Sequence, residues 1–552
     1  MRQRAGNWIV LLLANLYLAS PVVHDLGLTA SDGRGIDKIS LFAVPASVLW
    51  LALVQCLFRR QWLAHAVLFP FYVATAFDLF LVLRYDTRLS SSSISMILEN
   101  LRLVPDFIRA QALPLIVATA VLLVLFAAAV FAGRNLVIRS RRPMLISLAG
   151  LAVLYGGLLA YRTRATGSLR EAVGEIVVHD RNSPFGVLPQ GYVAYRVYRD
   201  ALEHERRAAS FSFGATRPQA PAGPELYVLV VGESSRRDHW SLYGYGRETT
   251  PRLARQSNLV VLQDMVTQAA LTQISVPLMI TRAGIEDPDA RANEKSIVAA
   301  FREAGFLTYW LSTQQRDHFT GAINRYSGEA DHTWFLDRRH DGALIDSLKE
   351  FAARAPGEKL FFVLHTQGSH FVFKDRYPAS SARFSGAAGD RDALIEQYDN
   401  SIVYTDEVLA RLISWLETRP GLAGLFYVAD HGENLYDDGR QLFGHFLNNE
   451  YDMPVPALLW MSDAWAQAHP EMREAARTNA SRKLNTRVVF STLADLAGIR
   501  IRGMDVSKLS VFSPGLSPGT RLFRKRDRLV DFDEWRAANV PPRSASRADL
   551  AE

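Results

Sequence analysis

The chain has 552 residues, 49% of them apolar, and is too long for one ordinary domain. Its formal charge of +6 comes from dispersed arginines without a basic run interleaved with aromatics, so no nucleic acid is expected as a partner. The one cysteine, Cys56, excludes a disulfide framework, and stability must come from a large apolar core.

Most of the apolar excess precedes residue 162. Five stretches approach or exceed the length needed to cross a hydrocarbon core of about 30 Å. They are Trp8 to Val23, Ile39 to Phe58, Trp62 to Leu83, Ala112 to Ala132 and Met144 to Tyr161. Arginines at 2 and 4, at 59 and 60, and at 134, 139, 141 and 142 mark the amino terminus and alternate connections as cytoplasmic. Five crossings then put everything after Tyr161 on the outer face, which is the periplasm in a diderm bacterium. Asp78, near the outer end of the third stretch, reads either as a functional intramembrane group or, by preference, as an acid snorkelling to the headgroups.

From Arg162 to Glu225 the chain reads as a connector. Apolar and basic residues recur at helical spacing from Gly191 to Ala209, as in a helix lying along a membrane surface, and Pro218 to Pro224 reads as a linker. Beyond it, strand-like runs at Tyr227 to Val231, Leu259 to Leu262, Thr308 to Leu311, Leu360 to Leu364, Leu425 to Val428 and Ala457 to Trp460 alternate with helical patterns. The helical patterns are Ala290 to Ala304, Asp341 to Ala353, Arg391 to Glu417 and Arg487 to Leu496. This alternation predicts a mostly parallel sheet covered by helices on both faces, an α/β/α sandwich. The tail after Ser513, rich in Pro, Arg and Asp, reads as an extension with a frayed end. The expected division is 1–161 transmembrane, 162–225 bridging, 226–520 catalytic and 521–552 extension.

Polar residues cluster where these strands end, the edge at which open α/β sheets bind ligands. The first strand runs into Gly232-Glu233-Ser234. Thr272 to Pro277 is a candidate helix start whose free amides favour an anion. The fourth strand ends in His365 to His370, and the fifth in Asp430-His431-Gly432-Glu433, with His445 in the loop beyond. A carboxylate beside an imidazole at a strand end suits a divalent metal, zinc foremost.

These pieces, in this order, resemble the phosphoethanolamine transferases of the bacterial inner membrane, which belong to the alkaline phosphatase and sulfatase superfamily. The resemblance rests also on Ser241-Leu242-Tyr243-Gly244-Tyr245, Ser275-Val276-Pro277 and Tyr398-Asp399-Asn400. It implies five spans followed by a sulfatase-like catalytic domain. It implies Zn2+ held by Glu233, Thr272, Asp430 and His431, with Thr272 as nucleophile, since metal coordination turns a weak hydroxyl into an alkoxide. His370 and His445 then lie near the transferred phosphate, and His365 and Gln314 are substrate-side candidates. So are Glu99 and Asn100 in the outer loop, for the ammonium headgroup, although that loop reads better as an amphipathic surface helix.

The implied reaction moves phosphoethanolamine from phosphatidylethanolamine, through a covalent threonine intermediate, to an envelope glycan or lipopolysaccharide acceptor. Two departures shift the acceptor. The lipid A and colistin-resistance branch is rich in exported cysteines, absent here, and offers an asparagine and a lysine where this chain has Ser312-Thr313-Gln314-Gln315-Arg316. The chain looks closer to the cysteine-poor branch that decorates core sugars or glucans. A phosphoglycerol transferase of the lipoteichoic acid synthase type and a phosphatase or sulfatase hydrolase are the alternatives.

Overall fold

The computed structural model describes residues 2–31, 38–85, 89, 94, 108–109, 111–138, 140–166, 169, 173, 176, 185–188, 190–192, 194–195, 210–287, 293–314, 322–336, 339–387, 389–437, 440, 442–445, 447–525 and 528–540. It divides into two units, Met1–Asp200 and Ala201–Glu552.

The first unit is helical: Arg2–Ser31, Lys38–Leu57, Gln61–Val67, Phe69–Tyr85, Ala112–Gly133 and Arg142–Thr166. All five expected apolar stretches are thus helical, but five spans do not follow from them. Among the described residues two helices are long and apolar enough to cross a membrane, Ala112–Gly133 and Arg142–Arg164. A third qualifies only if the pair Gln61–Val67 and Phe69–Leu81, bent by 55°, counts as one. The bend falls beside Pro70, whose ring removes an amide donor and disrupts the preceding turn. Helices pack through small residues and a few polar pairs, such as Gln55 Nε2 donating to Asn15 Oδ1 (2.6 Å). Asp78 is buried, and its Oδ1 accepts the Leu89 amide at 2.7 Å.

In the second unit the strands in chain order are β1 (Glu225–Gly232), β2 (Leu259–Val261), β3 (Asp264–Val266), β4 (Leu307–Ser312), β5 (His332–Phe335), β6 (Lys359–His365) and β7 (Leu422–Ala429). They continue with β8 (Asn434–Leu435), β9 (Phe443–Gly444), β10 (Pro454–Val455), β11 (Ala457–Met461), β12 (Lys483–Asn485), β13 (Leu522–Lys525) and β14 (Arg528–Asp531). The main sheet runs β2-β11-β7-β1-β6-β4-β5. Strands β7, β1, β6, β4 and β5 are mutually parallel, and β11 runs against them.

Alternate side chains of β1 feed two cores. Tyr227, Leu229 and Val231 join Phe301, Phe361 and Leu493 on one face, while Leu226, Val228 and Val230 join Leu348, Ile402 and Leu412 on the other. A strand covered on both faces carries an unbroken apolar run, which is why it was legible in sequence. The four expected helices are observed as Ile297–Glu303, Gly342–Arg354, Asp390–Glu417 and Val488–Leu496.

Residues 522–525 and 528–539 form regular structure packed within the second unit. Hairpin β13–β14 and the helix Phe532–Asn539 insert Phe523 and Phe532 against Val266, Ala270 and Met453. Arg521 bridges Asp264 and Asp533 at 2.9 and 2.5 Å.

Candidate metal centre and nucleophile

Strand register assembles the site. Pairing of Gly232 with Ala429 and of Val231 with His365 makes β1, β7 and β6 end together, so Glu233 and Asp430 leave the sheet side by side. One ligand atom each from Glu233, Asp430 and His431 lies within 4.8 Å of the others, and all three residues are buried. Thr272, at the first position of the helix Thr272–Ile280, brings its Oγ1 to 3.2 Å from both Glu233 Oε2 and His431 Nε2.

Each of these side chains is oriented from behind. Asp430 Oδ1 accepts the amides of Ser234 (3.0 Å) and His431 (2.7 Å), while its buried Oδ2 has no hydrogen-bond partner among the described residues. Glu233 Oε1 accepts the Ser234 hydroxyl at 2.8 Å, and its Oε2 accepts Gln314 Nε2 at 2.9 Å. His431 Nδ1 faces the Gly432 carbonyl at 2.8 Å. A protonated Nδ1 there leaves the Nε2 lone pair toward Thr272 and the carboxylates. Two carboxylates, an imidazole and a hydroxyl, with an orphaned buried carboxylate oxygen, form a donor set that fits a tetrahedral zinc ion.

Electrostatics agree with a site shaped for a cation. Burial, then repulsion from Asp430, holds the Glu233 carboxyl well above its ordinary range, and burial pushes Glu433 up to about 8. Burial likewise lowers His431, lowers His370 well below its ordinary value, and takes His445 down to about 4. Burial thus favours the neutral form of all three imidazoles.

The His445 ring lies 4.2 Å from that of His431 and 6.1 Å from that of His370, so both expected phosphate-side histidines border the site. Glu433 Oε2 faces His445 Nδ1 at 3.1 Å. His365 is 1% exposed and packs edge-on against Trp310, and both its ring nitrogens lack a hydrogen-bond partner among the described residues. The Gln314 amide is shared between Glu233 and the Thr366 carbonyl, both at 2.9 Å, so it orients a candidate ligand. Glu99, Asn100 and Arg316 lie outside the described residues.

Sequence reasoning gave no role to Ser234, Glu433 or Asp341. The first two sit inside recognisable strand-end segments. Asp341, whose carboxylate accepts the amides of Gln367 and Gly368, is 27 residues from the latter and carries no local signal.

Residues 225–499 match the sulfatase family. Phosphoethanolamine transferase EptC of Escherichia coli K12 is 29% identical over 336 residues, 56% of this chain and 57% of that protein. The chain thus spans little more than half the length of that curated relative. The zinc complex of the C-terminal periplasmic domain of EptC from Escherichia coli superposes with a TM-score of 0.53 at 28% identity, covering 58% of this chain and 95% of that one. The integral membrane lipooligosaccharide phosphoethanolamine transferase A from Neisseria meningitidis shares the fold, with a TM-score of 0.63 at 20% identity over 91% of this chain and 98% of that one.

Proposed function

We propose that this chain, which carries a sulfatase-family domain over residues 225–499 and is similar to phosphoethanolamine transferases, is itself a membrane-anchored phosphoethanolamine transferase. The observation that carries the reading is Thr272 Oγ1 at 3.2 Å from both Glu233 and His431, a hydroxyl placed among metal-ligand types. Glu233, Thr272, Asp430 and His431 would hold a zinc ion, whose Lewis acidity would make the threonine oxygen nucleophilic and neutralise phosphoryl charge.

Thr272 Oγ attacks the phosphorus of phosphatidylethanolamine and the phosphorus–oxygen bond to diacylglycerol breaks, the proton lost from the Thr272 hydroxyl being balanced by the one that the leaving alkoxide takes up. An acceptor hydroxyl or phosphate oxygen then attacks the phosphoethanolamine-threonine, the bond to Thr272 breaks, and a proton returns to the Thr272 oxygen, matched by the one lost when the attacking group is a hydroxyl. The amides at the start of the helix Thr272–Ile280 and the neutral rings of His370 and His445 donate hydrogen bonds to phosphoryl oxygens. Gln314 keeps Glu233 in place.

A lipid donor accounts for the apolar helices, read as five crossings that hold the catalytic unit on the periplasmic side of the inner membrane. The acceptor is an envelope glycan or lipopolysaccharide, with core sugar or glucan favoured over lipid A because exported cysteines are absent.

Purified protein is incubated separately with headgroup-labelled phosphatidylethanolamine and phosphatidylglycerol. Label on Thr272 from the first alone is expected, and it disappears in Thr272→Ala while zinc content is retained. Label from phosphatidylglycerol alone identifies a phosphoglycerol transferase and overturns the proposal.

A further inference from the structure

The folded C-terminal segment reaches back to the nucleophile. Asn448 lies in the loop after His445, with φ of +46°, a left-handed conformation that asparagine tolerates better than most residues. Its Oδ1 accepts the amide of Ala270, two residues before Thr272, at 3.0 Å. Its Nδ2 donates to the carbonyl of Arg524 in β13, also at 3.0 Å. Lys525 Nζ grips the same loop from the same strand, donating to the carbonyls of Leu447 (2.5 Å) and Asn448 (3.1 Å). Ala270 itself is 1% exposed and packs in the cluster formed with Phe523 and Phe532. The segment entering the Thr272 helix is therefore held twice, by an apolar contact with Phe523 and Phe532 and by an amide link through Asn448 to Arg524.

We infer that β13–β14 and the helix Phe532–Asn539 brace the nucleophile, and that Asn448 is the positioning residue that transmits the brace to Thr272. The inference rests on Thr272 being the nucleophile, as proposed above. The helix Thr272–Ile280 begins without a side-chain cap, since Leu271 at its N-cap offers no acceptor. Its start is thus fixed by what precedes it. Asn448 supplies a hydrogen-bond acceptor there, and the C-terminal hairpin keeps that acceptor in register.

Asn448→Gly tests this, because glycine keeps the positive φ and removes only the link. In the full-length protein kcat for transfer from phosphatidylethanolamine falls roughly ten- to hundredfold, as expected for a slightly misplaced reacting group, while KM and zinc content stay as in wild type. Without any donor, hydrogen exchange of the amides over 270–275 speeds up, while exchange in the core strand β1 does not change. Unchanged kcat together with unchanged exchange overturns the brace, as does a loss of kcat accompanied by proportional loss of zinc. If the wild-type protein transfers nothing, the functional reading fails, and the exchange measurement still decides the brace.

Discussion

Glu233 is fixed at both carboxylate oxygens, and its main chain is fixed as well, because Ser369 N–H donates to the Glu233 carbonyl at 2.9 Å. Gly368 makes that approach possible. It sits at φ +48°, and a Cβ there would lie 2.6 Å from the Glu233 carbonyl oxygen and 2.9 Å from its nitrogen, which is backbone and cannot swing aside. Gly368→Ala is therefore expected to displace Glu233 and weaken zinc binding by roughly tenfold or more, a loss of about 1.4 kcal/mol, measured by competition with a chromogenic chelator. Wild-type affinity in the variant would show that the strand end absorbs the clash. The residues that meet the candidate metal were legible because each ends a strand or starts a helix, and side-chain chemistry at such ends is visible in one dimension. Their supports were less so: Gln314 stood out only as a substrate-side candidate, not as a partner of Glu233, and nothing in the neighbouring sequence marks Asp341.

At the scale of elements, legibility followed burial. Strands β1, β6 and β7 are enclosed on both faces and appear as apolar runs, whereas β5 is an edge strand with exposed His332 and half-exposed Trp334 and was missed. Strands β3, β10 and β12 are two or three residues long and exist only through long-range pairing, Met265 facing both Val455 and Leu484. Arg521 and Asp533, which flank the hairpin β13–β14, resemble the charges of a solvated tail in sequence, and only the fold shows that they pair. The enclosed strands also set where truncation costs most. Phe361 of β6 stacks on Phe301 with ring centroids 3.7 Å apart, and neither ring is exposed. Phe361→Ala is expected to destabilise the second unit by about 3–5 kcal/mol, the usual cost of an aromatic cavity that cannot collapse, read from the shift in its denaturation midpoint. A shift corresponding to under about 1 kcal/mol would mean that the helix Ile297–Glu303 repacks onto β6.

For the whole molecule, stability is linked to what the buried carboxylates bind. A cation that binds only the folded state stabilises it by about 4 kcal/mol at a thousandfold excess over Kd. Chelation should accordingly lower the unfolding temperature of wild type, and Asp430→Asn should show a smaller chelator effect in the same assay. Equal shifts in the two proteins would place the stabilising metal elsewhere. A second linkage needs no metal. Glu329 is buried, and its Oε2 accepts both the amide (2.8 Å) and the hydroxyl (2.6 Å) of Ser296, the residue that caps the helix Ile297–Glu303. Burial outweighs those bonds and raises its carboxyl from 4.5 to about 7. Below pH 4.5 the group is protonated in both folded and unfolded chains and costs nothing. Between 4.5 and 7 the unfolded chain gives up the proton while the folded one keeps it, so stability falls as pH rises, by about 3 kcal/mol once both are ionised. Glu329→Gln retains an acceptor for Ser296 and carries no ionisable group. Its denaturation midpoint should match wild type near pH 4.5 and exceed it above pH 7, and parallel pH profiles for the two proteins would mean that Glu329 ionises in the fold as easily as in the unfolded chain.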